Sequence, residues 1–103
     1  MYAKMDMREW PVGTEALRSM AYELRQYDPT VTLEVRRRVF GDPFEGAPTY
    51  QYALLRWASR SQAGTLLQLI WETTSKDEAL GFLKLMVGNA KDEKEAARPN
   101  GVR

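Results

Sequence analysis

The stretch TVTLEVRRRVF, residues 30–40, decides the fold that we predict for this chain. Its apolar residues Val31, Leu33, Val35 and Val39 alternate with polar ones, which is the period-two pattern of a strand with one buried face. Valine and threonine dominate its first six positions, and β-branched side chains favour strands over helices. We therefore predict that residues 30–40 form a strand.

Two further strands are predicted downstream. A loop of turn-forming residues, 41–48, separates the first stretch from 49–58, where aromatic residues favour a strand again. The apolar run 65–74 fits either a buried strand or a short helix, because periodicity does not separate the two. Residues 75–78, Ser-Lys-Asp-Glu, have the spacing of a capping box, so a new helix begins at 76 and the run before it is a separate element.

Two helices are predicted around these strands. Glu15–Tyr27 has apolar residues at the spacing of a helix that lies on a core, with Thr14 as its N-cap and Asp28-Pro29 as its stop. The second helix is expected to end at Gly88-Asn89, and residues 91–103 to form a polar, mobile tail. Its apolar side consists of Ala79, Leu80, Leu83, Met86, Val87 and Ala90.

These elements predict one α/β (α+β) domain over residues 1–90. Alternation over Met1–Trp10 adds a first strand, and the order becomes β-α-β-β-β-α. We expect a two-layer sandwich with a four-stranded mixed sheet, in which a right-handed crossover makes the first two strands parallel and both helices cover one face. The alternative is a small all-α bundle, in which residues 30–40, 49–58 and 62–73 are helices.

Composition narrows the function. The 103 residues contain no cysteine and no histidine, which removes disulfides, thiol nucleophiles, the commonest metal ligand and the usual general base near neutral pH. Asp42 and Glu45 are the carboxylates that most suggest acid–base catalysis. A surface turn rich in aspartate, proline and glycine accounts for both residues. We therefore expect no catalytic residues, no metal and no cofactor. A charged N-terminus without a signal sequence, together with the missing cysteines, predicts a cytoplasmic protein.

The candidate site is the sheet face that the helices leave open. Successive side chains of a strand point to opposite faces of the sheet. On the third strand we predict that Ala53, Leu55 and Trp57 point towards the helices. Trp10, beside Pro11, is expected to be partly exposed and to favour an interface. The predicted interaction residues are Arg36, Arg38, Tyr50, Tyr52, Arg56 and Trp10.

A face that mixes tyrosine with arginine is typical of two kinds of binding site. Both residues are enriched in protein interfaces, and the net charge of +1 gives no general attraction to polyanions. The first hypothesis is therefore a non-enzymatic module that self-associates as a dimer or binds another protein, through this face or a strand edge. The alternative is single-stranded nucleic-acid binding, with tyrosines stacking on bases. No membrane partner is expected.

Overall fold

The computed structural model describes residues 2–38, 49–61 and 64–97. Within them it confirms the α+β class and the order of strands and helices, and the all-α alternative is wrong. The loop that carries Asp42 and Glu45 lies outside the described residues. The elements are β1 (Tyr2–Lys4), a short 3-10 helix (Met7–Glu9), α1 (Glu15–Tyr27), β2 (Val31–Arg38), β3 (Tyr50–Ser61), β4 (Gly64–Thr73) and α2 (Lys76–Ala96).

The sheet has the strand order β1-β2-β3-β4, and every neighbouring pair is antiparallel. The predicted parallel pairing of the first two strands, and with it the mixed sheet, is wrong. In a crossover connection between two parallel strands, the helix runs antiparallel to both of them. Here β1 ends at Lys4, and the link before α1 contains the 3-10 helix and a turn at Gly13, whose φ is +89°. This link carries the chain back along the sheet before α1 begins. As a result, α1 is antiparallel to β2 but not to β1.

Both helices cover one face of the sheet, as predicted. A turn before β2 and another after β4 make α1 and α2 run parallel to each other, with their C-terminal ends in contact. The buried side of α1 is Leu17, Ala21 and Leu24, and that of α2 is Ala79, Leu83 and Val87. They pack on a sheet layer formed by Val31, Leu33, Val35, Tyr52 and Leu54.

The start of α2 follows the predicted capping box with one change. The Ser75 hydroxyl accepts a hydrogen bond from the Glu78 backbone N–H at 3.1 Å. The return bond passes through Thr73, whose hydroxyl accepts from the Ser75 backbone N–H at 3.0 Å and donates to the Glu78 carboxylate. Thr73 therefore joins the end of β4 to the first turn of α2.

The far end of α2 differs from the prediction. The helix continues through Gly88-Asn89 to Ala96, so the predicted helix end is wrong and residues 91–96 are helical. Alanine, lysine and glutamate, which dominate this segment, are strong helix formers. Contacts to α1 hold it: Lys91 Nζ lies 3.5 Å from Glu23, and Lys94 Nζ lies 5.5 Å from the centre of the Tyr27 ring.

A pair of leucine substitutions tests the two faces of the sheet. Leu54 is fully buried under the helices, whereas Leu69 on the neighbouring strand is 47% exposed on the opposite face. We expect Leu54→Ala to lower the free energy of unfolding by about 2–5 kcal/mol because it leaves a cavity. Leu69→Ala should cost less than about 1 kcal/mol. Urea unfolding at low protein concentration measures both; equal losses would contradict the assignment of these leucines to opposite faces.

Candidate interaction surface

The pairing of β2 with β3 determines which side chains face the helices. Leu33 lies directly opposite Leu54, and Val35 lies opposite Tyr52. Directly opposite residues share a face, so Tyr52 and Leu54 point to the helices, where they are 4% and 0% exposed. The predicted inward set of Ala53, Leu55 and Trp57 therefore belongs to the open face, and that assignment is wrong. Apolar residues occupy both sides of β3, so alternation alone does not fix its phase.

The six predicted interaction residues do not form one face. Arg36 and Arg38 lie on the open face of β2, while the other strand residues of the set, Tyr50, Tyr52 and Arg56, lie on the helix-facing side of β3. The mixed Tyr/Arg face expected from the sequence is thus divided between the two layers of the fold.

Trp10 packs against the core rather than projecting from it. Its ring is partly buried beside the helix layer, and the Arg18 guanidinium lies 5.7 Å from the ring centre. The indole Nε1 is buried and has no hydrogen-bond partner among the residues that the structure describes. We assign Trp10 a packing role at the start of α1.

Arg56 ties β3 to the end of α1. Its guanidinium lies 2.9 Å from the carboxylate of Asp28, which follows the last residue of α1. A hydrogen bond from the Thr30 hydroxyl is the main reason that the pKa of Asp28 is lowered, and Arg56 adds to this effect. The contact accounts for Arg56 as a structural residue that closes the turn between α1 and β2.

A cavity of about 590 Å³ opens beside this ion pair, at the C-terminal ends of the two helices. Its apolar lining is Leu24, Tyr27, Met86 and Ala90. Its charged residues carry both signs: Asp28 and Arg56 are paired, and Lys94 lies over Tyr27. No single ligand chemistry follows from such a balanced rim.

One half of the open sheet face is polar. Arg36 lies at its centre, 3.6 Å from the carboxylates of both Glu34 and Glu72, and it donates a hydrogen bond to Gln51 at 3.0 Å. Two carboxylates thus compensate the charge of Arg36. This arginine serves to join β2, β3 and β4 across the face.

The other half is an apolar patch that we define as Leu55, Trp57, Leu67 and Leu69. Trp57 lies directly opposite Leu67, and Leu55 lies opposite Leu69. Leu55 is buried as the floor, whereas Trp57, Leu67 and Leu69 are 47%, 40% and 47% exposed. Clustered exposed apolar side chains of this size mark contact sites more often than isolated ones do.

Sequence reasoning missed this patch. The predicted alternation directs Trp57 towards the helices, and the apolar run 65–74 fits either a buried strand or a short helix, so neither pattern indicates an exposed apolar face. Trp71, which belongs to the same run, packs on the core with its ring 5.1 Å from that of Phe82. The usable signal was the spacing of Leu67 and Leu69, which are two residues apart and therefore share a face.

The patch adjoins an unpaired strand edge, which we call the β4 edge. β4 is the last strand of the sheet, and none of the described residues pairs with its outer side. No charged residue occurs from Gly64 to Trp71. Long, uncharged edges are templates for pairing with another strand, and proteins usually protect them with charges, proline or bulges; β4 has a bulge at Ile70 but no charge before Glu72.

Comparisons with known proteins add no family to this description. Neither protein-family models, nor curated proteins, nor solved structures give a significant match to the chain. Within residues 2–38, 49–61 and 64–97, no helix has the length and apolarity needed to cross a bilayer. The same part of the chain holds no cluster of acidic side chains arranged to bind a metal ion.

The Asp28 contacts predict a pH dependence of stability. An unfolded aspartate has a pKa of about 3.9, and folding lowers the pKa of Asp28. Its stabilising effect is therefore complete above about pH 4 and is lost as the pH falls through the lower, folded value. Asp28→Asn should flatten the loss of stability in this acid range, and Thr30→Val should do so in part. Thermal unfolding between about pH 2 and 6 measures it; an unchanged slope in Asp28→Asn would contradict the assignment.

Proposed function

We propose that this protein is a non-enzymatic interaction module that binds protein through the apolar patch and the adjoining β4 edge. The observation that carries the proposal is the exposure of Trp57, Leu67 and Leu69 beside the β4 edge, which has no charge from Gly64 to Trp71 and pairs with none of the described residues. An edge supplies backbone hydrogen bonds to a partner strand, and neighbouring apolar side chains supply the surface that becomes buried. We place this activity in the cytoplasm, in line with the cysteine-free sequence.

The charges of the open face support a protein partner over single-stranded nucleic acid. Binding to nucleic acid depends on cations that neutralise phosphates. Arg36 is already compensated by Glu34 and Glu72, and two of the tyrosines expected to stack on bases, Tyr50 and Tyr52, lie on the helix-facing side. The remaining exposed aromatic of the patch, Trp57, is surrounded by leucine, which suits the apolar centre of a protein interface.

Site-specific photocrosslinking in living cells tests the proposal. A benzoylphenylalanine at position 69 places the reactive group in the apolar patch. Position 85 is the matched control, because Leu85 is 63% exposed on α2, in the layer opposite to the patch. We expect irradiation to give discrete protein adducts from position 69 and none from position 85.

The mass of the adduct identifies the type of partner. An adduct of twice the mass of the chain indicates a second copy, and any other discrete protein mass indicates a different protein. Both results support the proposed function. Absence of an adduct at position 69, or equal adducts at both positions, would overturn it.

A further inference from the structure

We propose that the partner is a second copy of this chain, bound by antiparallel pairing of the two β4 edges around a two-fold axis at Gln68. The inference rests on the proposed function, since it names the occupant of the same surface. The result is a dimer with one continuous eight-stranded sheet, built from two four-stranded sheets.

The spacing of the exposed leucines suits this axis. In an antiparallel pair centred on Gln68, Leu67 lies opposite Leu69 of the second copy, and the reverse pair forms on the other side of the axis. Directly opposite side chains have Cβ atoms about 4.5–5.5 Å apart, so each leucine covers its counterpart. An axis on Leu67 sets Leu69 against Thr65 of the second copy, and an axis on Leu69 sets Leu67 against Trp71, whose side chain lies on the helix-facing side.

The faces match as well. A two-fold axis perpendicular to the sheet keeps the open faces of both copies on the same side. The two apolar patches then meet at the junction, and Trp57 of each copy flanks the paired leucines. The contact therefore joins backbone pairing with burial of part of both patches.

No like-charge repulsion opposes self-pairing at this edge. Antiparallel pairing around a two-fold axis brings residues near the axis against their own copies, so a charged strand would meet like charges. β4 has no charge from Gly64 to Trp71. The opposite edge of the sheet differs: β1 spans three residues and carries Lys4, the usual means of protecting an edge. The contrast between the two edges identifies β4 as the one built to pair with a copy of itself.

A charge exchange at Gln68 tests the inference on the full chain. Gln68 is exposed and lies outside the apolar patch, so substitution leaves the patch intact. We expect sedimentation equilibrium to show a monomer–dimer equilibrium for the native sequence. Gln68→Lys and Gln68→Glu should each weaken the dimer by about tenfold, because like charges meet at the axis. An equimolar mixture of the two variants should recover the native affinity.

Two controls exclude trivial effects. Gln26→Lys makes the same change on an exposed position of α1 and should leave dimerisation unchanged. The recovery in the mixture shows that both Gln68 variants fold. Since the chain has no cysteine, Gln68→Cys also gives a single thiol, which should form a disulfide-linked dimer on oxidation, whereas Tyr22→Cys on α1 should not.

The outcomes separate this inference from the proposed function. A monomer at all concentrations up to about 1 mM, a weak limit for specific binding, would overturn the second copy as the partner. A dimer that is insensitive to both Gln68 charges would overturn it too. If the position 69 crosslinker then captures a different protein, the proposed function stands without the dimer; if it captures none, both fail.

Discussion

The register between β2 and β3 determines which side chains pack under the helices and which remain on the open face. It sets Leu33 against Leu54 and Val35 against Tyr52, and these four side chains together with Val31 form the layer on which both helices lie. Because side chains alternate along a strand, a shift of one residue would exchange the two faces of β3. Tyr52 and Leu54 would then face solvent, and Trp57 would be directed towards the helices.

The same register explains the surface left open. β4 follows β3 with a shift in pairing, so that Leu54 opposes Trp71 while Leu55 opposes Leu69, and Ile70 is the additional residue. A bulge of this kind changes the direction of side chains on one strand. Ile70 and Trp71 both pack on the core, where the Trp71 Nε1 lies 3.4 Å from the Met86 sulfur. Leu69 remains on the open face, although it belongs to the same apolar run.

Sequence patterns within one element predict the helices and strands. The position of the candidate site depends on contacts between residues that are distant in the sequence. Helical spacing over Glu15–Tyr27 and the cap at Ser75 act within one turn, and the structure confirms both helix starts. The phase of β3 depends on which of two apolar sides fits under the helices, and the direction of β1 depends on the link that returns the chain before α1. The spacing of apolar residues within these strands determines neither the phase of β3 nor the direction of β1. Arg36 and Arg38 were placed correctly because β2 is apolar on one side only.

The division of the open face into two halves has a physical basis. Around Arg36, ion pairs and the hydrogen bond to Gln51 satisfy the charges within the face, so this half stays hydrated at little cost. In the apolar half, β4 carries no ionised side chain from Gly64 to Trp71, so leucine and tryptophan side chains are in direct contact with water. Burial of apolar area is favourable by about 25 cal/mol per Å², so this half is where association gains most.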